Sequence, residues 1–130
     1  MASHQRSTRV YHVEDSVEVR VRISSELERL DGIELVGFAE CSTEAIAGIR
    51  QGRPDVVVLD LDLREGSGLD VLRALRNDHP RPLIIVLTNQ SDPTARQRSI
   101  QAGAHHYFDK STEFPQFLAC LQLSAKQLHD

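Results

Sequence analysis

Two continuous apolar runs of strand length constrain the fold of this chain more than any other feature. Residues 55–60 read Asp-Val-Val-Val-Leu-Asp, and residues 82–87 read Pro-Leu-Ile-Ile-Val-Leu. Runs of this kind, without alternating polar positions, are typical of strands buried on both faces of a parallel sheet. The sequence therefore predicts a sheet covered by helices on both sides.

Segments with helical spacing of apolar residues alternate with these strand-like runs along the chain. The predicted strands are 10–13, 33–39, 55–60, 82–87 (closed by Thr88) and 104–108. The predicted helices are 17–30, 42–50, one from 69 that ends near 77–80, 93–103 and a last one from Ser111 or Thr112 to 128. Strand and helix thus alternate five times. Because crossovers between parallel strands are right-handed, we expect an α/β fold: one doubly wound, five-stranded parallel sheet with five helices.

Size and composition fit one globular domain. The chain has 130 residues and a formal net charge of -4, which argues against non-specific binding of nucleic acid. No apolar run is long enough for a membrane span. We expect residues 1–8 to be a disordered lead-in and 9–130 to form the domain. Two unpaired cysteines fit a reducing cytoplasm.

Acidic residues, a threonine and a lysine follow the ends of predicted strands. Glu14 and Asp15 follow the first strand, Asp60 the third, Thr88 the fourth and Lys110 the fifth. The carboxyl ends of parallel strands meet at one edge of a sheet, where ligands bind. We expect an acidic pocket for a divalent metal there, with a nucleophilic aspartate and a cation that neutralises a phosphoryl group.

These positions resemble the receiver domain of two-component response regulators over about residues 9–126. Glu14-Asp15 matches the acidic pair, Asp60 the phospho-acceptor, and Lys110 the lysine after the fifth strand. The resemblance implies a flavodoxin-like sheet with strand order 2-1-3-4-5. It also implies a phosphoryl group accepted on Asp60, with Lys110 and Thr88 assisting.

The resemblance implies a Mg²⁺ (or Mn²⁺) cofactor, a hard cation that takes oxygen ligands. Asp15 and Asp60 would bind it directly, and the backbone carbonyl of Asp62 would complete the protein ligands. Glu14 is one methylene longer than the usual aspartate, so it would act through a water molecule.

Two further pairs of residues have roles implied by the family. Thr88 and Tyr107 would form the switch, in which the hydroxyl contacts the phosphoryl group and the aromatic ring moves. Asp62 and Gln90, two residues beyond Asp60 and Thr88, would modulate hydrolysis of the phosphoryl group.

The sequence departs from the family pattern at two loop positions. Arg64 stands where a proline is common, so we expect a less rigid loop there. Ser111 replaces the proline that often follows the lysine, which leaves the conformation of the Lys110–Ser111 peptide open, since a non-proline cis bond costs about 3 kcal/mol.

We expect a stand-alone receiver, which is not an enzyme with a substrate of its own. It would take phosphate from a histidine kinase or phosphotransfer protein and act by contact with a target protein or by dimerising, without binding nucleic acid or membrane. A pseudo-receiver that is never phosphorylated is one alternative. A haloacid-dehalogenase-like phosphatase is another, since Asp60-Leu-Asp62 contains the Asp-x-Asp pattern of a nucleophile and general acid.

Overall fold

The computed structural model describes residues 7–90 and 92–128, in which strands and helices alternate. The elements are β1 (Thr8–Val13), α1 (Val17–Glu28), β2 (Ile33–Ala39), α2 (Ser42–Gly52), β3 (Val56–Leu59), α3 (Gly68–Leu75), β4 (Leu83–Thr88), α4 (Pro93–Gln101), β5 (His106–Asp109) and α5 (Phe114–Leu128). The five strands form one parallel sheet in the order β2-β1-β3-β4-β5. The predicted fold class and strand order are confirmed.

The position of β3 at the centre of the sheet explains why this strand is apolar at every position. All four of its residues are 0% exposed. Val57 and Leu59 pack in a core cluster with residues of α2, α3 and α4, whereas Val56 and Val58 pack with residues of α1 and α5. Because neighbouring strand residues point to opposite faces, each layer of helices requires its own set of apolar side chains.

Two predicted helix starts are confirmed by side-chain capping. The Ser16 hydroxyl accepts a hydrogen bond from the Val19 N–H at 3.3 Å, and the Asp92 carboxylate accepts one from the Ala95 N–H at 2.6 Å. Such caps satisfy N–H groups that have no partner within the helix. They make α1 begin directly after the acidic pair of residues 14 and 15.

The spacing of apolar residues in the predicted helix 17–30 puts Val17, Val21, Ile23, Leu27 and Leu30 on one face, and this prediction is partly wrong. Ile23 and Leu27 are buried, but Val17 and Val21 are 54% and 53% exposed. Val17 precedes Ile23 by six residues, and Val21 precedes Leu27 by six, which places each about 120° away around the helix. The two valines therefore lie beside the buried face rather than on it.

The last strand and helix differ from their predicted bounds. β5 is His106–Asp109 rather than 104–108, and α5 begins at Phe114 rather than at Ser111 or Thr112. A turn precedes α5 because the Asp109 carboxylate accepts the N–H groups of both Ser111 and Thr112.

The first strand begins two residues earlier than predicted and takes in Thr8, which the prediction assigned to the lead-in. β1 begins at Thr8, which is 1% exposed, while residues 1–6 lie outside the described residues. Cys41 and Cys120 are free thiols, as expected. Over residues 7–90 and 92–128, the structure has no helix of the length and apolarity that a membrane crossing requires.

Gly68, the first residue of α3, lets this helix approach the backbone of the third strand end. A Cβ atom at this position would collide with the carbonyl oxygen of Asp60 and would lie 2.9 Å from the Cα atom of Leu61. A backbone atom cannot swing away as a side chain can. Glycine at position 68 therefore fixes how closely α3 packs behind Asp60.

We predict that Gly68→Ala lowers the free energy of unfolding by about 1–3 kcal/mol, the usual cost of overpacking. Gly52→Ala is the matched control, because a Cβ there has no atom within 4 Å. The control should be neutral or stabilising by up to about 1 kcal/mol. Urea unfolding of both variants measures this, and equal stabilities would contradict the assigned contact.

Candidate functional site

Backbone hydrogen bonds beyond the strand ends hold the acidic residues at one edge of the sheet. The Glu14 N–H donates to the carbonyl oxygen of Ala39, and the Asp60 N–H donates to that of Val13, both at 3.0 Å. The parallel ladder thus continues one residue past β1 and β3. Carboxylate oxygens of Glu14, Asp15 and Asp60 all lie within 4.8 Å of one another.

Lys110 follows β5 and is held at the same edge of the sheet by a backbone hydrogen bond to β4. Its N–H donates to the carbonyl oxygen of Thr88 at 2.8 Å, which continues the β4–β5 ladder. Its ammonium donates to Asp60 Oδ2 at 2.7 Å and also to Glu14 Oε1. Only 10% of the Lys110 side chain is exposed. The acids and the lysine predicted to meet therefore do meet.

Burial and charge act in opposite directions on these groups. Burial raises the pKa of Glu14 above its usual value, although the hydrogen bond from Lys110 opposes this rise. Burial disfavours the Lys110 ammonium, but its hydrogen bonds to Asp60 and Glu14 outweigh burial and raise the pKa of Lys110. The lysine therefore stays charged at neutral pH.

The donor set fits a hard divalent cation. Glu14 is occupied on both oxygens, because Oε2 also accepts the Ser16 N–H at 3.1 Å. Asp60 Oδ1 accepts the Asp62 N–H at 3.2 Å. The half-buried Asp15 carboxylate, by contrast, has no hydrogen bond or ion pair with any residue that the structure describes. Three clustered carboxylates with one unengaged member match the oxygen ligands that Mg²⁺ prefers.

The predicted switch residues contact each other through Gln90. Thr88 is fully buried and its hydroxyl oxygen accepts the Gln90 N–H at 3.4 Å. The Tyr107 hydroxyl donates to the carbonyl oxygen of Gln90, and Tyr107 is only 5% exposed. Thr88 and Tyr107 thus share one partner in the loop after β4.

Arg96 was missed by the sequence reasoning and packs over the switch aromatic. Its guanidinium carbon lies 5.7 Å from the centroid of the Tyr107 ring, and Nη1 donates to the Tyr107 carbonyl oxygen at 3.5 Å. An arginine in the polar helix α4 carries no sequence signal of such a contact.

The two residues predicted to modulate hydrolysis bond to each other. Gln90 Nε2 donates to Asp62 Oδ1 at 2.5 Å, which links the loop after β4 to the loop after β3. Asp62 is exposed, and its carboxylate is not one of the three clustered carboxylates. A metal contact by the Asp62 backbone carbonyl stays a prediction.

Both departures from the family pattern have local contacts. Arg64 forms an ion pair with Glu40 at 3.4 Å, beside a hydrogen bond from the Ser42 N–H to the Glu65 carbonyl oxygen. The Ser111 hydroxyl donates to Asn89 Oδ1 at 3.2 Å. The Lys110–Ser111 peptide is trans.

The position of His12 inside the first predicted strand favours a core residue whose ring nitrogens are both hydrogen-bonded. His12 is buried, but among the described residues this prediction is wrong for one nitrogen. Nδ1 has no hydrogen-bond partner within the described part of the chain. Burial, followed by the positive charges of Lys110 and Arg20, lowers the pKa of His12 to about 4. The imidazole is therefore neutral at physiological pH.

We predict that the Tyr107 phenol titrates near pH 12, because burial and the charges of Asp92 and Asp109 raise its pKa from 10.0 to about 12. The pKa of Tyr107 is higher in the folded than in the unfolded protein. Its contribution to the free energy of unfolding is therefore fully present below pH 10 and is lost as the pH rises through about 12. Tyr11→Phe leaves Tyr107 as the only tyrosine, and absorbance near 295 nm then reports it alone. A midpoint near 10 with native circular dichroism would contradict the assigned burial.

The comparisons with known proteins agree with this geometry. The family model of the response regulator receiver domain matches residues 10–122. The response regulator GacA of Pseudomonas viridiflava is 30% identical over 115 residues, which are 88% of this chain and 54% of that protein. The response regulator protein VraR of Staphylococcus aureus strain Mu3 is 31% identical over 104 residues, 80% and 50% of the two chains. The chain thus spans about half the length of these relatives.

Solved structures show the same fold. A two-component response regulator of the LuxR family from Aurantimonas sp. SI85-9A1 superposes with a TM-score of 0.86 at 26% identity, over 93% of this chain and 86% of that one. The response regulator domain of CheB from Thermotoga maritima gives 0.81 at 22% identity, over 94% and 96%. On the family match over residues 10–122, the chain belongs to the response regulator receiver domain family.

Proposed function

We propose that this receiver accepts a phosphoryl group on Asp60 from a phosphohistidine of a histidine kinase or phosphotransfer protein. The observation that carries the proposal is the Lys110 ammonium, which bonds Asp60 and Glu14 while the Asp15 carboxylate beside them has no hydrogen bond or ion pair with a described residue. A fixed cation and a site for a second one are what a negatively charged phosphoryl group needs to approach a carboxylate.

In the transfer, a carboxylate oxygen of Asp60 attacks phosphorus and forms a new P–O bond. The bond between phosphorus and the donor imidazole nitrogen breaks, and its electron pair leaves with that nitrogen. The product is an acyl phosphate on Asp60. Lys110, whose ammonium already contacts Asp60 Oδ2, neutralises charge on the phosphoryl oxygens.

Asp15 and Asp60 would hold Mg²⁺ or Mn²⁺ directly, Glu14 would act through a water, and the Asp62 carbonyl would add a ligand. When bound, the cation supplies positive charge that offsets the repulsion between the carboxylates and the phosphoryl group. Both Glu14 oxygens are already occupied by Lys110 and the Ser16 N–H, which supports an indirect role for Glu14.

Phosphorylation would shift a two-state equilibrium of the loop after β4. A hydrogen bond from the Thr88 hydroxyl to a phosphoryl oxygen would move this loop, and with it the Gln90 carbonyl that Tyr107 holds. Tyr107 would then repack, and the face formed by α4, β5 and α5 would change. The phosphoryl group contributes only through its preference for one packing.

The output of this domain would be a protein–protein contact, either with a target or with a second copy. One structural neighbour is described as a DNA-binding response regulator of the LuxR family from Staphylococcus aureus. For the present domain, the net charge of -4 argues against direct DNA contact. We propose a cytoplasmic protein that is not an enzyme in its own right, beyond self-catalysed phosphorylation and slow dephosphorylation.

Acetyl phosphate with Mg²⁺ should label the wild-type protein, because this donor requires no kinase. Intact mass should increase by one phosphoryl group, and neither Asp60→Asn nor EDTA-treated protein should gain it. Asp55→Asn, an aspartate at the other end of β3, is the matched control and should be labelled normally.

Absence of an adduct, under conditions that label another receiver, would favour a pseudo-receiver that binds partners without phosphorylation. Turnover of a generic phosphate ester would instead favour a phosphatase. A labelled Asp60→Asn variant would place the acceptor elsewhere.

Asp62 and Gln90 should set the lifetime of the phosphoryl group. Their bridge stands between the loops after β3 and β4, so its removal should let water approach more freely. We expect Asp62→Ala/Gln90→Ala to lose phosphate several-fold faster than the wild type after donor removal. Decay followed by intact mass measures this, and an unchanged rate in the double variant would refute the role.

A further inference from the structure

The backbone around Lys110 is held by an uninterrupted set of hydrogen bonds. Each of the five N–H groups from residue 109 to residue 113 has an acceptor. Two of these acceptors are backbone carbonyls: Thr88 O accepts from Lys110, and Asp109 O accepts from Glu113 at 2.9 Å. The other three N–H groups donate to side-chain carboxylates.

Asp109 and Glu113 supply those carboxylates reciprocally. Asp109 Oδ1 accepts the N–H of Ser111 at 2.7 Å and of Thr112 at 3.2 Å, which closes the turn after the lysine. Glu113 Oε1 accepts the N–H of Asp109 at 3.0 Å, which fixes the residue that precedes Lys110. Lys110 therefore sits inside a closed loop of hydrogen bonds rather than at a free strand end.

This closure matters because a lysine side chain has four rotatable bonds. Holding its ammonium in one place costs rotamer entropy, and this cost rises if the backbone that carries the side chain also moves. The Lys110 ammonium reaches both Asp60 and Glu14, on two other strand ends. A fixed Cα–Cβ direction at residue 110 favours that double contact.

The two carboxylates act through the backbone rather than by their charge on the ammonium. Asp60 and Glu14 are the acids whose oxygens bond the Lys110 ammonium, whereas the Asp109 and Glu113 carboxylates accept backbone N–H groups. Their amide counterparts, asparagine and glutamine, also offer an oxygen acceptor. Such variants should therefore preserve the turn.

We propose that Asp109 and Glu113 are positioning residues that lock the turn around Lys110 and so hold its ammonium against Asp60 and Glu14. This inference rests on the proposed function, since it assigns a role in phosphoryl acceptance at the same site. It also implies that a side-chain hydrogen bond, from the Ser111 N–H to Asp109, fixes the residue that follows the lysine.

The first measurement is the rate of Asp60 phosphorylation by acetyl phosphate at saturating Mg²⁺ in the full chain. We expect Asp109→Ala to slow it by about tenfold and Glu113→Ala by severalfold, since small misplacement of a catalytic group is costly. Asp109→Asn and Glu113→Gln should stay within about twofold of the wild type if the backbone is the target.

Asp78→Ala is the matched control for a merely destabilising change. It removes an ion pair with Arg50, 3.0 Å long, beside the amino-terminal ends of β3 and β4 and so at the opposite edge of the sheet from Asp60. For Asp78→Ala we expect a lower free energy of unfolding and an unchanged rate of Asp60 phosphorylation. If Asp109→Ala fails to fold, Glu113→Ala and its glutamine counterpart still test the proposal.

A second measurement does not depend on phosphorylation. The chain has only two lysines, Lys110 and Lys126, so ¹³Cε-lysine labelling gives two NMR signals with Lys126 as an internal reference. We expect the Lys110 signal to move toward that of Lys126 in Asp109→Ala and to return in Asp109→Asn.

The outcomes separate this inference from the proposed function. A wild-type protein that takes no phosphate defeats the proposed function, and the position of the Lys110 signal then decides the inference alone. An alanine variant that phosphorylates at the wild-type rate with an unmoved Lys110 signal overturns it. If Asp109→Ala and Asp109→Asn both slow phosphorylation equally, the inference is also overturned, because the negative charge of Asp109 and not its oxygen acceptor would then matter.

Discussion

The contact of one buried ammonium with two buried carboxylates organises this molecule. Lys110, Glu14 and Asp60 follow three different strands, and no two of them are neighbours in sequence. A buried charge without a partner is expensive, so each of these residues depends on the others. Breaking the contact removes the compensation for the remaining charges, and the site and the sheet edge are therefore coupled energetically.

The parallel sheet makes this arrangement possible with little dedicated structure. Ladder hydrogen bonds that extend one residue past the strands fix Glu14, Asp60 and Lys110 at the same edge. Helix starts then close around that edge: Ser16 caps α1 directly after the acids, and Gly68 lets α3 lie against the Asp60 backbone. The helices bury the faces of the sheet and leave the edge itself for chemistry.

Signals that repeat along the chain made the fold and the acidic site predictable. The unbroken valine run of β3 and the acids at strand ends follow from burial and from parallel topology, which hold wherever the strands lie. The turn at residues 109–113 was not predictable in this way. Asp-Lys-Ser-Thr-Glu resembles a capped helix start, and only the structure shows that Asp109 and Glu113 close a turn before α5.

Other failures of the sequence reasoning arise from long-range packing. The stacking of Arg96 on Tyr107 depends on residues distant in sequence, and so do the surroundings of His12 Nδ1, which has no hydrogen-bond partner in the part of the chain that the structure describes. Periodicity also could not show that Val17 and Val21 lie beside the buried face of α1, because apolar spacing alone does not fix how a helix is rotated. These features required the coordinates of neighbouring elements.

Metal binding by the carboxylates beside Lys110 is the most direct test of the central claim. Mn²⁺ is paramagnetic and should broaden the ¹³Cε signal of Lys110 strongly. Lys126 lies twelve residues beyond the start of α5, about 18 Å along the helix, and its signal should stay sharp. The account predicts selective broadening that Asp15→Asn weakens; equal broadening of both signals, or of neither, would contradict it.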